Sequence, residues 1–139
     1  MRHIDVTKYI GIPFRHRGSN WSGVDCYGLV RLFYKTEFNI FIPDYIYDEN
    51  WCTHGFDWIH KYYKENWIKI DKPKRYGGIG FKYPGQHVEH HLGIVLWDLI
   101  SFLHCPKDKA VCVSKLSDRF WKRSIYSFYD IKEMECQQS

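Results

Sequence analysis

Hydrophobic positions recur with a helical period in the first half of this chain. One apolar face has the spacing i, i+3, i+4, i+7 and consists of Cys26, Leu29, Val30 and Phe33. This spacing predicts a helix over residues 25–37 with Cys26 in its first turn. Ser22 and Asp25 lie three residues apart and resemble a capping box in which Asp replaces Glu. A short helix or ordered arm is predicted over residues 5–10.

Beyond residue 73 the pattern changes to short apolar runs separated by turn residues, which predicts strands. The runs cover residues 79–82, 91–97, 100–105, 110–113 and 124–129. A second, aromatic helix is predicted over residues 56–67. Helices followed by a strand meander indicate an α+β fold in which N-terminal helices pack on an antiparallel sheet. The length of 139 residues fits one domain, residues 1–139, with a frayed tail at 134–139.

Composition narrows the class of protein. Hydrophobic residues make up 45% of the chain, enough to form a core, and the 19% aromatic content suggests exposed rings that meet a partner. The net charge of +4 is spread along the chain, so nucleic-acid binding is not indicated. The five cysteines include no CxxC pair, which favours free thiols in a reducing cytosol. No signal peptide or membrane span is expected, and no cofactor is indicated.

Cys26 is open to two interpretations. A thiol at a helix N-terminus faces the positive end of the helix dipole, which favours the nucleophilic thiolate. Alternatively, Cys26 is a small core residue on the same stripe as Leu29 and Phe33. Position alone does not decide between a nucleophile and a core residue.

Two histidines in the strand region suggest a base and its partner. In the strand at 91–97, alternation places His91 on one face with Gly93, whose small size leaves a gap beside it. If residues 98–99 form a two-residue hairpin turn, Gly93 opposes His104, and His104 lies diagonally from His91 on the same face. A turn one residue longer would move His104 to the other face.

Several blocks of the sequence resemble the NlpC family of papain-like cell-wall cysteine peptidases, and its phage-tail branch most closely. The first half contributes residues 12–18, Asp25-Cys26-Tyr27-Gly28-Leu29-Val30-Arg31 and Pro43-Asp44-Tyr45. The second half contributes Val88-Glu89-His90-His91-Leu92-Gly93-Ile94, Phe102-Leu103-His104 and residues 117–129. The resemblance leaves residues 46–74 and the tail unmatched.

The resemblance implies a function and a set of roles. Cys26 would attack an amide carbon, His91 would exchange the proton and His104 would hold the imidazole. Phe14, Asp25 and Tyr27 would contact the substrate, a peptidoglycan stem peptide cut near its D-γ-glutamyl to diamino-acid bond. Other phage tail proteins would be partners, and the protein would be made in the host cytoplasm and join the virion tail or act during its assembly.

The sequence departs from the family pattern at three places. Phe14 stands where bacterial members commonly have an active-site tyrosine, and Tyr27 replaces a small residue after the cysteine. Tyr76-Gly77-Gly78 replaces a Pro-Gly-Asp turn.

Two alternatives to a peptidase remain open at this point. One is a structural tail-tip protein on the same fold, since a fold does not secure a function. The other is a metal site, because ligand-type side chains crowd one region: His87, Glu89, His90, His91 and Cys105.

Of the adjacent His90 and His91, only one can face Cys26, and the family register selects His91.

Overall fold

The computed structural model describes residues 2–44, 67–82, 85 and 89–131. Within these ranges a 3-10 turn, Thr7–Tyr9, replaces the short helix predicted over residues 5–10. The helices are α1 (Cys26–Phe38) and α2 (Arg119–Lys122). The strands are β1 (Ser19–Asn20), β2 (Gly23–Val24), β3 (Trp67–Ile70), β4 (Gly78–Phe81), β5 (His91–Val95), β6 (Ser101–His104), β7 (Cys112–Lys115) and β8 (Ile125–Ile131).

The main sheet has six antiparallel strands in the order β3-β8-β4-β5-β6-β7, and β1 and β2 pair separately. Strands β4 to β7 form the predicted meander, whereas β8 returns to lie between β3 and β4. The fold is therefore α+β, as expected. The predicted helix over residues 56–67 falls outside the described residues except at Trp67, which begins β3 rather than ending a helix.

Helix α1 begins at Cys26, and Asp25 is its N-cap. The Asp25 Oδ1 atom accepts the backbone N–H of Gly28 at 2.7 Å. The expected capping box is wrong, because Ser22 lies in the β1–β2 turn, where its own N–H bonds to the Asn20 side chain. The helix ends where Asn39 adopts a left-handed conformation with φ of 54°. No helix among the described residues is long and apolar enough to cross a membrane.

The two faces of the sheet carry separate apolar clusters. The apolar face of α1 packs on the face that bears Leu92, Ile94 and Leu103. The opposite face carries a smaller cluster of Ile79, Phe81, Val95 and Phe102, against which Trp121, Leu116, Ile125 and Phe128 pack. The alternation predicted for the strand at 91–97 is thus confirmed, since Leu92 and Val95 belong to different clusters.

A close backbone contact holds the N-terminus of α1 against the preceding loop. The Asp25 N–H donates to the Gly18 carbonyl at 3.2 Å. A Cβ added to Gly28 would lie 1.6 Å from the same Gly18 oxygen, so a side chain at this position cannot fit. Gly28, two residues after Cys26, therefore lets the loop and the first turn of the helix meet.

Candidate active site

Cys26 contacts the strand that carries His91. The backbone N–H of Leu92, the residue after His91, donates a hydrogen bond to the Cys26 sulfur. On β5, Val95 donates to Gly77 on the β4 side and Leu96 donates to Ser101 on the β6 side. Successive N–H groups along an antiparallel strand point alternately to its two neighbouring strands. Leu92 lies four residues before Leu96, so its N–H also points to the β6 side.

The pairing of β6 with β5 ends at the pair of Gly93 with His104. The Leu92 N–H therefore lies just past the end of β6, where the first turn of α1 presents the Cys26 sulfur. Cys26 packs against the apolar cluster on the α1 side of the sheet, and its sulfur lies beside the backbone of Leu92, the residue after His91. Helix α1 thus places Cys26 at the end of the sheet that holds both histidines.

The resting state of Cys26 is a thiol. Burial raises the pKa of Cys26 above its ordinary value, and the Asp25 carboxylate raises it further. The N–H groups of Leu92 and Tyr27 bond to the sulfur and lower the pKa, but by less. The expectation that the helix terminus would favour the thiolate is therefore wrong for the resting protein, because burial raises the pKa by more than the two backbone N–H groups lower it.

His91 and His104 form a hydrogen-bonded pair. The predicted register is present, since Gly93 opposes His104 and the Leu96 N–H donates to the Ser101 carbonyl. The predicted turn at residues 98–99 is not present, because the Leu99 N–H donates to the Leu96 carbonyl and so centres the turn on Trp97 and Asp98. His91 Nε2 lies 2.8 Å from His104 Nδ1. The remaining nitrogen of His104, Nε2, contacts Ser114 Oγ at 2.8 Å. This arrangement leaves Nδ1 of His91 as the ring nitrogen not engaged by His104.

Both imidazoles are neutral at pH 7. His91 is 5% exposed and His104 is fully buried. Burial holds the pKa of His91 well below its ordinary value, and His104 and His90 lower it further by charge repulsion. Burial also lowers the pKa of His104 to about 4. The resting pair of Cys26 and His91 is therefore a neutral thiol and a neutral imidazole.

Trp121 of α2 covers both histidines. Its ring stacks on His91 with centroids 5.2 Å apart and planes at 26°, and meets His104 edge-on at 4.8 Å. Phe81 packs on His91 from the same cluster, at 5.5 Å between ring centroids. The two histidines thus lie on the sheet face opposite the body of α1. Trp121 is not among the site residues predicted from the sequence, although it lies in the block 117–129 that carries the family resemblance.

The structure shows where each residue expected to bind substrate lies. Asp25 is 5% exposed, and its two oxygens accept the N–H groups of Gly28 and Arg17 at 2.7 and 2.8 Å. Tyr27 is buried, and its hydroxyl donates to the Pro43 carbonyl at 2.6 Å. Phe14 is half-buried and bridges to Val24, two residues before Cys26. Roles in substrate binding stay predictions for Phe14, Asp25 and Tyr27.

The structure describes four of the five ligand-type side chains considered for a metal site. His87 falls outside the described residues. Glu89 accepts hydrogen bonds from the hydroxyls of Ser127 and Tyr129 at 2.5 and 2.8 Å. Among the residues that the structure describes, no group of three His, Cys, Asp or Glu side chains is arranged to hold a metal ion.

Three solved structures that resemble this chain are proteins or domains of the NlpC/P60 family. An NlpC/P60 family protein from Bacillus cereus ATCC 10987 superposes with a TM-score of 0.65 at 21% identity, over 86% of this chain and 35% of that one. A lipoprotein-like NLP/P60 family protein from Staphylococcus aureus subsp. aureus Mu50 gives 0.61 at 20% identity, over 89% and 38%. The chain thus spans little more than a third of either of these two proteins.

The NlpC/P60 domain of the peptidoglycan hydrolase SagA gives a TM-score of 0.58 at 20% identity, over 88% of this chain and 90% of that one. No curated protein matches the chain. The fold is the papain-like α+β architecture of these neighbours, with the cysteine at the start of a helix that packs on an antiparallel sheet. The chain belongs to the NlpC/P60 family, whose model matches residues 11–129.

Proposed function

We propose that the protein is a cysteine peptidase that hydrolyses amide bonds in peptidoglycan stem peptides. Cys26 is the nucleophile, His91 the general base and acid, and His104 the residue that holds the His91 ring. The observation that carries the proposal is the 2.8 Å hydrogen bond between His91 Nε2 and His104 Nδ1. This bond leaves His91 Nδ1 available to the thiol of Cys26. The Cys26 sulfur in turn accepts a hydrogen bond from the backbone N–H of Leu92, the residue after His91.

The chemistry starts from a neutral pair. As the Cys26 sulfur attacks the amide carbon, its proton passes to His91 Nδ1, and the carbonyl oxygen takes the negative charge. The Cys26 backbone N–H, at the start of α1, helps to bind this oxyanion. His91 then gives the proton to the leaving amine, and the C–N bond breaks to leave a thioester. Water, deprotonated by His91, hydrolyses the thioester and restores the thiol.

The proposed substrate bond is the one between D-γ-glutamate and the diamino acid of the stem peptide. Its support is family membership together with the fold neighbour that is named a peptidoglycan hydrolase. Association with a phage tail rests on the resemblance of residues 25–31 and 117–129 to the phage-tail branch. In this proposal the protein is made in the host cytoplasm and joins other tail proteins in the virion or during assembly.

Digestion of purified peptidoglycan tests the peptidase proposal. We expect wild-type protein to release stem-peptide fragments, identified by mass spectrometry, and Cys26→Ala and His91→Ala to release none while remaining folded by circular dichroism. Cys136→Ala, which removes a thiol from the C-terminal tail, is the matched control. A folded wild-type protein that releases no more than Cys26→Ala would contradict the assignment.

A second candidate is a structural tail-tip protein that retains the fold. The neutral Cys26 thiol and the buried, neutral His91 favour it, because neither is charged for catalysis at rest. The 19% aromatic content also suits a protein interface. Phage carrying Cys26→Ala distinguishes the two functions. Normal assembly with loss of wall digestion supports the peptidase, whereas normal assembly, digestion and infection support the structural role.

A further inference from the structure

The ring of His104 is held at both nitrogens inside the sheet. Its Nδ1 lies 2.8 Å from His91 Nε2, and its Nε2 lies 2.8 Å from Ser114 Oγ. The sulfur of Cys112 is a weaker neighbour of the same Nε2, at 3.5 Å. The register of β6 with β7 explains these contacts, because His104 opposes Cys112 and Phe102 opposes Ser114, so that all four side chains share one face.

The direction of the hydrogen bonds along this chain determines which nitrogen of His91 can act as a base. A neutral imidazole has one N–H donor and one acceptor nitrogen. If Nε2 of His91 donates to His104, then Nδ1 of His91 is the acceptor, and the proton of His104 must lie on Nε2. In the opposite arrangement, His104 donates from Nδ1, and His91 presents an N–H at Nδ1, where it cannot take a proton.

Two features favour the first arrangement. It places the proton on Nε2 in both rings, which is the tautomer that free histidine prefers in water. It also requires an acceptor at His104 Nε2, and the Ser114 oxygen lies there at 2.8 Å. Ser114 is only partly buried, so its hydroxyl hydrogen can turn toward solvent while its oxygen accepts.

We propose that Ser114 is a positioning residue, whose oxygen accepts the Nε2–H of His104 and thereby sets the tautomers that make His91 Nδ1 the base. The proposal rests on the proposed peptidase function for its effect on turnover, but the tautomers exist with or without turnover. Ser114 acts through His104 and does not touch the reacting atoms.

Nitrogen-15 NMR of the full chain, labelled at histidine, tests the tautomers directly. We expect His91 and His104 of the wild-type protein to be protonated at Nε2 alone. In Ser114→Ala we expect the His104 resonances to shift toward a mixture of tautomers, and in Ser114→Thr to return to the wild-type pattern. If Ser114→Ala does not fold, Ser114→Cys replaces it, since sulfur is a poor acceptor. Ser117→Ala, an exposed serine after β7, is the matched control.

Turnover of peptidoglycan fragments gives a second readout. We expect Ser114→Ala to lower kcat about tenfold or more with KM unchanged, because a wrong tautomer removes the base but not the binding surface. A wild-type His104 protonated at Nδ1, or unchanged tautomers in Ser114→Ala or in its substitute Ser114→Cys, would overturn the proposal. Absence of wild-type turnover with the expected tautomers would contradict the peptidase function and leave the role of Ser114 intact.

Discussion

The Cys26 sulfur accepts a hydrogen bond from the backbone N–H of Leu92, the residue that follows His91. This bond joins the first turn of α1 to the strand that carries the proposed base. Its effect on the thiol is smaller than that of burial, which raises the pKa of Cys26. The reactivity of Cys26 as a function of pH is therefore a direct measure of its surroundings.

We predict that Cys26 alkylates slowly at pH 7 and that its rate keeps rising up to pH 9 and beyond. A raised pKa means that the thiolate fraction is still increasing above the ordinary thiol pKa of about 8.5. Iodoacetamide labelling followed by peptide mass spectrometry measures the rate. Asp25→Asn should label faster, because removing the carboxylate charge lowers the pKa. A plateau below pH 7 would instead reveal a thiolate paired with an imidazolium.

We predict that Asp25→Ala destabilises the protein by about 2 kcal/mol or more, whereas Ser22→Ala changes stability by less than about 0.5 kcal/mol. Asp25 accepts two backbone N–H groups, those of Gly28 and Arg17. Ser22 lies in an exposed turn. Urea unfolding followed by circular dichroism gives both values. Equal losses would mean that Ser22 also caps α1.

We predict that Gly28→Ala is more destabilising than Gly93→Ala. A Cβ at Gly28 would lie 1.6 Å from the backbone oxygen of Gly18, and neither backbone can move without breaking the bond from Asp25 to Gly18. At Gly93 the nearest atom, the Leu103 oxygen, lies 3.0 Å away, so a small shift suffices. The expected loss in the free energy of unfolding is above about 3 kcal/mol for Gly28→Ala and about 1 to 2 kcal/mol for Gly93→Ala. Chemical denaturation ranks them, and the reverse order would refute the close contact.

We predict that the protein loses stability as the pH falls from about 6.5 to about 4. Burial lowers the pKa of His104 from 6.5 to about 4, so the unfolded chain binds more protons than the folded chain in this window. His104→Gln should reduce the slope by up to about 1.4 kcal/mol per pH unit.

The measurement is urea unfolding at a series of pH values, with His3→Gln as the control because His3 is exposed. His90 and His91, whose pKa values burial also lowers, should contribute to the remaining slope. Equal slopes in wild type and His104→Gln would show that His104 is accessible to protons in the folded state.

We predict that Phe14→Tyr raises the turnover of peptidoglycan fragments. Phe14 bridges to Val24, near the start of α1. By the family resemblance, it stands where bacterial members commonly have a tyrosine. Loss of one oxyanion donor typically costs a factor of about 10² to 10³ in turnover, so its return should give a measurable gain. The competing effect is a hydroxyl buried without a partner, which costs about 1 to 3 kcal/mol. Turnover and Tm measured on the same variant separate the two, and a lower Tm without faster turnover would exclude the catalytic explanation.

Local sequence determines much of the candidate site. The helical spacing that begins at Cys26 predicts α1 to within one residue at each end, because the apolar face and the cap are encoded within a few positions. The predicted pairing of Gly93 with His104 is also present, although the turn is centred one residue earlier than residues 98–99, because the strands keep the same alternation of faces. These features depend on neighbours in the chain, which the sequence alone displays.

The tertiary structure alone decided the remaining properties. Strand β8 lies between β3 and β4, and Trp121 covers His91, through contacts between residues far apart in the chain. The pKa of Cys26 was predicted with the wrong sign, because a helix terminus is visible in the sequence but the loss of solvent is not. The desolvation of the Cys26 thiol depends on all the atoms that are packed around it. It therefore appears only when helix, sheet and loop are packed together.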